Sequence, residues 1–378
     1  MTPSQLPTPY YIVYEDKLRR NLDLIASVAR RAGVKIIMAF KANALWRTFG
    51  VMREYGTEFT ASSLNELRLG REFLCTLAHS YTPAYTDATI EEYLAGSSHI
   101  TFNSLSQWER FADKVKARPE VSAGLRVNPH CSVIETDIYN PALPGSRFGV
   151  GAGALKDGLP EGIEGLHFHA LCESTSYDLE KVLNEFERQF GHLLPTLKWV
   201  NMGGGHLMTR EGYDIEHLVG LLVGFRKRHP NIEVILEPGS AFTWRTGDLV
   251  TSVVDVVEND GVRTGILDVS FACHMPDTLE MPYQPVITGS VDSATPGALA
   301  YNLGGNSCLS GDYMGPWYFA GPLKIGDRLT LEDMNHYTTV KTTMFNGVAH
   351  PDIVFCHSSG ECEYLRRFGY EDYKNRMS

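Results

Sequence analysis

Residues 197–239 read LKWVNMGGGHLMTREGYDIEHLVGLLVGFRKRHPNIEVILEPG. A short apolar run, Leu197–Met202, ends in the three glycines Gly203, Gly204 and Gly205. Ile215–His229 then places apolar residues three and four apart, the spacing of a helix with one buried face. A second β-branched run, Glu233–Leu236, ends in Glu237-Pro238-Gly239. Strand, helix and strand in this order form a βα unit, the connection that joins parallel strands.

Working outward, the same rhythm runs back to Val34. The apolar runs Lys35–Phe40, Glu58–Ala61, His79–Ala84, His99–Phe102, Val121–Val127 and Ile163–His169 precede the two already quoted, giving eight in all. Helix-like stretches lie between them, among them Leu64–Phe73, Ser106–Lys116 and Tyr177–Leu194. Eight βα units predict an α/β fold closed as a (β/α)8 TIM-like barrel rather than an open doubly wound sheet. A barrel makes a demand of its own: chemistry collects where the strands end, in the loops that follow them.

Beyond Gly239 the texture changes. Leu249–Val257, Thr264–Val269, Gln284–Thr288, Ala298–Leu303, Arg328–Glu332, Tyr337–Thr342 and Asp352–Phe355 read as strands separated by Gly, Pro and Asp turns, without long helices. This is a C-terminal all-β domain, and the early strand Tyr10–Tyr14 can join it. The expected division is a barrel over residues 15–239 and a discontinuous β-domain made of residues 1–14 and 240–378.

The balance of 43% hydrophobic and 21% charged residues in 378 is that of a folded globular chain. No apolar run approaches a membrane span, and no basic segment followed by an apolar one opens the chain, so a cytoplasmic protein with no membrane contact is expected. Net charge is −11 with the basic residues scattered, which excludes the basic stripe that nucleic acid requires. An acidic protein also suits a cationic substrate. The seven cysteines contain no CxxC pair, so neither a disulfide framework nor a zinc ribbon is indicated. The densest group, Cys356-His357 with Cys362, is not expected to bind metal.

Lys41 follows the apolar strand Ile36–Phe40 and would stand at the barrel mouth with its stem against apolar walls. Desolvation lowers an ammonium pKa, and a neutral amine there can form a Schiff base with an aldehyde. By itself, a strand-end lysine reads more simply as a surface charge. The other strand ends alter that balance. Three glycines after the seventh strand free backbone N–H groups to wrap an anion such as phosphate. Glu237, after the eighth, can hydrogen-bond a pyridine nitrogen. His169 ends the sixth strand, where a neutral imidazole can stack on a ring or simply fill the core, the reading preferred for His167. Arg126 and Asn128 end the fifth and can support the same site or the fold. Gly149–Ala154 matches the dinucleotide fingerprint formally, but no clear strand leads in, and Gly158 and Pro160 interrupt any helix after it.

Together these residues resemble the fold type III (alanine racemase-like) pyridoxal phosphate decarboxylases, which include ornithine and diaminopimelate decarboxylases. The resemblance spans almost the whole chain. Ala39-Phe40-Lys41-Ala42-Asn43 is similar to the family's cofactor-lysine motif, Phe168-His169 to its ring-stacking histidine, Gly203–Gly205 to its phosphate loop and Glu237-Pro238-Gly239 to its pyridine-binding motif. The resemblance implies pyridoxal 5'-phosphate held covalently on Lys41, with Tyr337 on its phosphate. It also implies a homodimer with shared active sites, in which Cys308, within Gly304–Asp312, reaches the partner's site and helps protonate the reaction product.

Within the family, Met38–Trp46, Leu166–Ser174, Cys273-His274-Met275-Pro276-Asp277 and Cys308–Asp312 most resemble the branch that decarboxylates carboxynorspermidine and carboxyspermidine in polyamine biosynthesis. That resemblance implies Asp277 as the acid receiving the substrate's distal amine, with His274, Glu173, Asp312 and Ser240 as further substrate-contact candidates. Leu309 stands where ornithine and diaminopimelate decarboxylases would place an acid. Ser240 departs as well, standing where ornithine decarboxylases have an arginine and where this branch usually has an acid. Diaminopimelate, ornithine, lysine or arginine therefore remain alternative substrates, with a racemase or a silent regulatory homologue further behind. Intact Lys41, Gly203–Gly205 and Glu237 speak against silence.

Overall fold

The computed structural model describes residues 2–134 and 136–378; Met1 and Glu135, which the expected segments 1–14 and 15–239 include, lie outside the described residues. Two compact units emerge, one of residues 21–242 and one formed by residues up to Arg20 together with Thr243–Ser378.

In the first unit, parallel strands follow one another around a barrel: Lys35–Ile36, Met38–Ala39, Phe59–Ala61, Ala78–Tyr81, Ser97–Phe102, Ser122–Arg126, Gly165–His167, Trp199–Asn201 and Glu233–Leu236. The first two are halves of one expected strand, and their split is the point of closure. Lys35 and Ile36 pair with Ile235 and Leu236, whereas Met38 and Ala39 pair with Phe59 and Thr60. Between them Ile37 donates to the Leu236 carbonyl at 2.9 Å, and Met38 turns to the Glu58 carbonyl at 2.9 Å. One strand thus bonds the last strand on one side and the second on the other, leaving no free edge.

The interior is filled rather than open. Trp199 stands where a Cβ on Gly124 or Gly165 would lie 2.1 or 2.0 Å from its ring, and its indole N–H donates to Ser122 Oγ at 2.8 Å. Ile37 and Ile235 complete that buried cluster. A plugged interior leaves the strand ends as the place for chemistry. The helices carry the expected caps: Asp214 accepts from the His217 N–H ahead of Ile215–Arg228, and Thr175 with Asp178 forms a capping box ahead of Ser176–Phe190.

The second unit is built on the long strand Gly247–Asn259. Its first half pairs with Tyr10–Tyr14 on one side and Arg328–Leu331 on the other; its second half pairs with Val262–Leu267. Tyr10–Tyr14 runs parallel to Asp352–Cys356, which carries the hairpin partner Cys362–Arg366. Leu299–Gly304 and the edge strand Tyr313–Phe319 extend the other end of the sheet. Tyr10, Ile12, Val250, Val354 and the facing Cys356 and Cys362 form one of its buried clusters.

Several expectations need correction. Tyr313–Phe319 is a strand despite Gly315-Pro316, because an edge strand tolerates a residue that cannot donate. Tyr337–Thr342 is a chain of turns: Tyr337 takes a left-handed backbone (φ 50°), and Lys341 N–H bonds back to the Thr338 carbonyl. Gln284–Thr288 forms no strand: it pairs through an isolated bridge from Ile287 to Leu331, and Gln284 and Pro285 hydrogen-bond Pro316 and Trp317. The units also divide later than the expected 14/15 and 239/240 breaks. The first turn of helix Glu15–Ala32 is tied to the sheet unit through Glu15 to the Ser358 N–H at 3.1 Å and Lys17 to Asp248 at 3.9 Å. At the other break, the short helix Ser240–Thr243 is held to the barrel. Its Ala241 and Phe242 carbonyls accept from Thr209 Oγ1 and Asn21 Nδ2.

Candidate active site

Lys41 leaves the barrel one residue after Phe40, whose buried ring stacks on Phe49 and Phe59 at 4.8 and 4.7 Å. Lys41 as a residue keeps exposed surface, and its Nζ lies 3.5 Å from His169 Nε2. The surrounding protein strips water from the ammonium and holds its pKa below the usual lysine range, and the Arg126 cation pushes the same way; Glu237 opposes them.

His169 is fixed from behind. The Gly204 N–H donates to Nδ1 at 3.0 Å, so a neutral ring carries its proton on Nε2, facing Lys41. Burial, Lys41 and Arg126 keep its pKa well below the ordinary histidine value, which leaves a flat, uncharged ring. Arg126, buried at its strand end, lies against the rings of Tyr81 and Phe148 at 4.7 and 4.4 Å and donates to the His169 carbonyl at 3.4 Å.

Glu237 is buried, and desolvation raises its pKa against the lowering influence of Asn201, which donates to Oε1 at 2.7 Å. His167 Nε2 lies 3.5 Å from Oε2, beyond a hydrogen bond, and both its ring nitrogens lack partners. The glycine run is as constrained as its chemistry suggests. Gly203 and Gly205 have φ of 69° and 90°, and a Cβ on Gly203, Gly204 or Gly205 would lie 2.5 Å or less from a backbone oxygen. Only bare backbone fits between the strand ends here, so a phosphate can approach the loop closely, with the Gly203 and Gly204 N–H groups already donated to Asn201 Oδ1 and His169 Nδ1.

The barrel therefore brings Lys41, His169, Gly203–Gly205 and Glu237 to one rim, the ends of four different strands. A family model of pyridoxal-dependent decarboxylases, with their C-terminal sheet domain, matches residues 13–335. The chain belongs to the pyridoxal-dependent decarboxylases. Carboxyaminopropylagmatine decarboxylase of Synechocystis is 46% identical over 99% of this chain and 96% of its own length. Carboxynorspermidine/carboxyspermidine decarboxylase of Campylobacter jejuni is 41% identical over 98% and 99%. The crystal structure of carboxynorspermidine decarboxylase from Campylobacter jejuni in complex with norspermidine superposes with a TM-score of 0.90 at 40% identity, covering 98% of this chain and 100% of that one.

The cofactor of this decarboxylase is pyridoxal phosphate, and the rim fits it: a lysine of lowered pKa, a cradle that any side chain would fill, a neutral imidazole and a buried carboxylate. Sequence reasoning missed Asn201, which braces Glu237, and Tyr81, which braces Arg126. It also missed Glu66, a half-buried acid that acts electrostatically on Lys41. Asn201 alone left a trace, as the polar end of an apolar strand.

The remaining candidates are distributed as follows. Ser240 is buried at the start of its short helix, and Glu173 is exposed with a left-handed backbone, its carbonyl accepting from Arg210. In the sheet unit, Cys308 is exposed and its N–H donates to Asn346 Oδ1 at 2.8 Å. Asp277 and Glu280 both grip the Lys341 ammonium. Two candidates turn inward. Asp312 is buried and accepts from the Ala272 N–H and from the Ser307 N–H and hydroxyl, so it organises its own loop. His274 is completely buried, with Nδ1 accepting from the Ser270 N–H and its pKa pushed down to about 3 by burial, so it presents no surface to a substrate. Tyr337 sits in the turns of 336–343, a segment joined to Cys273 by the Thr343 N–H.

Proposed function

We propose that this decarboxylase removes the α-carboxylate of carboxynorspermidine and carboxyspermidine, releasing norspermidine and spermidine for polyamine biosynthesis. The observation that carries this reading is the full-length correspondence, at 40% identity and TM-score 0.90, with an enzyme crystallised with norspermidine. Acids set for a cationic tail agree with it: Asp277 and Glu280 already close on an ammonium, that of Lys341.

When bound, pyridoxal phosphate supplies the sink that accepts the electron pair left behind as carbon dioxide departs. The chain supplies the rest. Lys41, whose pKa desolvation and Arg126 lower, is the amine that holds the cofactor and gives way to the substrate's α-amine. His169 offers a neutral face for the ring, fixed by Gly204. Glu237 holds the pyridine nitrogen, and the side-chain-free Gly203–Gly205 loop takes the phosphate, with Tyr337 a further phosphate contact. Cys308 returns a proton to the α-carbon from a second copy of the chain, in a homodimer with shared sites. Ser240 and Glu173 are the further contacts we assign to the substrate. A reducing, cytoplasmic setting fits the seven cysteines, which form no disulfide.

A second reading is carboxyaminopropylagmatine, favoured by the 46% identity to the Synechocystis enzyme. Both substrates are α-amino acids with long cationic tails; they differ in whether an amine or a guanidinium ends the tail. Carbon dioxide release from carboxynorspermidine, carboxyspermidine, carboxyaminopropylagmatine, diaminopimelate and ornithine, compared as kcat/KM, tests the assignment. The two carboxypolyamines of the first reading should lead. Faster turnover of the guanidinium compound would establish the second reading, and faster turnover of diaminopimelate would refute both.

A further inference from the structure

Glu237 carries its role only if the carboxylate is held in one orientation and one charge state, and a single side chain controls both. Asn201, at the end of strand Trp199–Asn201, is buried and makes two hydrogen bonds in opposite directions. Its Oδ1 accepts from the Gly203 N–H at 2.9 Å, and its Nδ2 donates to Glu237 Oε1 at 2.7 Å. The amide cannot turn over. A flip would set its NH2 against the Gly203 N–H and its oxygen against the carboxylate, losing both bonds between buried groups.

The consequence falls on Glu237. With an N–H permanently aimed at it, Oε1 is an acceptor in either protonation state, and any proton on the carboxyl must sit on Oε2. The groups around that carboxyl are the Thr60 hydroxyl, His167, whose Nε2 lies 3.5 Å from Oε2, and, acting at longer range, His79, Lys41, Arg126 and Tyr81. Burial favours the neutral acid, and the Asn201 bond is the leading influence that favours the carboxylate. The same amide also holds the Gly203 N–H, and the Glu237 N–H donates to the Gly203 carbonyl at 2.7 Å. The phosphate loop and the pyridine-facing acid are therefore braced by one residue.

We propose that Asn201 is the positioning residue that orients Glu237, favours its carboxylate form and couples it to the Gly203–Gly205 loop. This rests on the reading of Glu237 as the cofactor's pyridine contact. The test is the titration of Glu237 in full-length protein, with and without saturating pyridoxal phosphate, followed by carbon-13 NMR of labelled glutamate side chains and assigned with Glu237→Gln. Asn201→Leu should raise the Glu237 midpoint by about one to two units, the effect of one lost charge-assisted hydrogen bond. It should also weaken pyridoxal phosphate binding about tenfold and lower kcat with little change in KM. Asn201→Asp keeps the acceptor for Gly203 and removes the donor, so it serves if the leucine variant does not fold. Its two carboxyls should titrate as a coupled pair with one midpoint raised.

An unmoved Glu237 midpoint in both variants would overturn the inference, whatever happens to activity. A raised midpoint with unchanged cofactor affinity and unchanged kcat would overturn the catalytic part of it. Failure of the wild-type protein to bind pyridoxal phosphate would instead refute the cofactor reading beneath it.

Discussion

Replacing Gly204 by alanine adds one methyl group at the centre of the site, and the structure says what it meets. The new Cβ would stand 2.5 Å from the Glu237 carbonyl oxygen and 3.6 Å from His169 Cε1. Carbon to oxygen contacts settle at about 3.3 Å or more, so backbone must move by ~0.8 Å. Moving Gly204 away by that amount would stretch its 3.0 Å bond to His169 Nδ1 to ~3.8 Å, past the limit of a hydrogen bond. The overpacking costs about 1–3 kcal/mol, and the lost bond about 1 kcal/mol more. The larger effect is on the reaction, because a displacement near 1 Å at a catalytic centre costs about 10²-fold. We therefore expect Gly204→Ala to fold with a lowered melting temperature, to bind pyridoxal phosphate weakly, and to show kcat/KM reduced about 10²-fold by carbon dioxide release. Gly220→Ala is the control. That glycine lies within helix Ile215–Arg228 with nothing within 4 Å of an added Cβ, so alanine should leave activity intact and stabilise by about 0.5–1 kcal/mol. Wild-type kcat/KM in Gly204→Ala would refute the cradle argument.

Other consequences can be checked independently. Lys41→Ala should abolish the absorption band of covalently bound cofactor and reduce kcat by orders of magnitude, and a persisting band would place the attachment elsewhere. Arg126→Met removes a cation that lowers the Lys41 pKa, so the pH at which cofactor attaches should shift upward; an unshifted pH profile would contradict the electrostatic role. Asp277→Asn should raise KM about tenfold, the effect of one hydrogen bond to a charged group, with kcat nearly unchanged; equal KM values would remove Asp277 from substrate recognition. Acid should destabilise the fold through its buried neutral histidines. His206 and His274 have pKa values pushed down by burial to about 4 and about 3, below their unfolded values. The unfolded chain therefore binds more protons below about pH 6.5, and stability falls as pH drops from there toward these values, by about 1.4 kcal/mol per pH unit for each histidine, levelling off below them. Urea unfolding at pH 7 and pH 5 measures this, and a loss that persists undiminished in His206→Asn would exclude that residue as a contributor.

Much of the fold was legible because its signals are local. The period of apolar residues that marks Ile215–Arg228 as a helix, and the β-branched runs around it, depend only on neighbours in the chain. Where a strand's status depends on its place in the sheet, local reading failed. Tyr313–Phe319 is not among the strands read from the sequence; it contains Pro316, which argues against a strand, and its edge position makes that proline harmless. Tyr337–Thr342 looked like a strand, yet hydrogen bonds among its own residues fold it into turns.

The site divides in the same way. By itself, the sequence determined the strand-end chemistry: Lys41, His169, Gly203–Gly205 and Glu237 each declare a chemical capacity through residue type and place after an apolar run. Only the tertiary structure decided which candidates can use theirs. Asp312 and His274 carry suitable groups, but one is consumed by its own loop and the other is sealed in the core. Asn201, an unremarked strand-end amide, proves to hold Glu237 and Gly203 together. The physical reason is that a side chain's capacity is a property of its atoms, whereas its availability depends on what lies within 3 Å of it, and those partners come from distant parts of the chain.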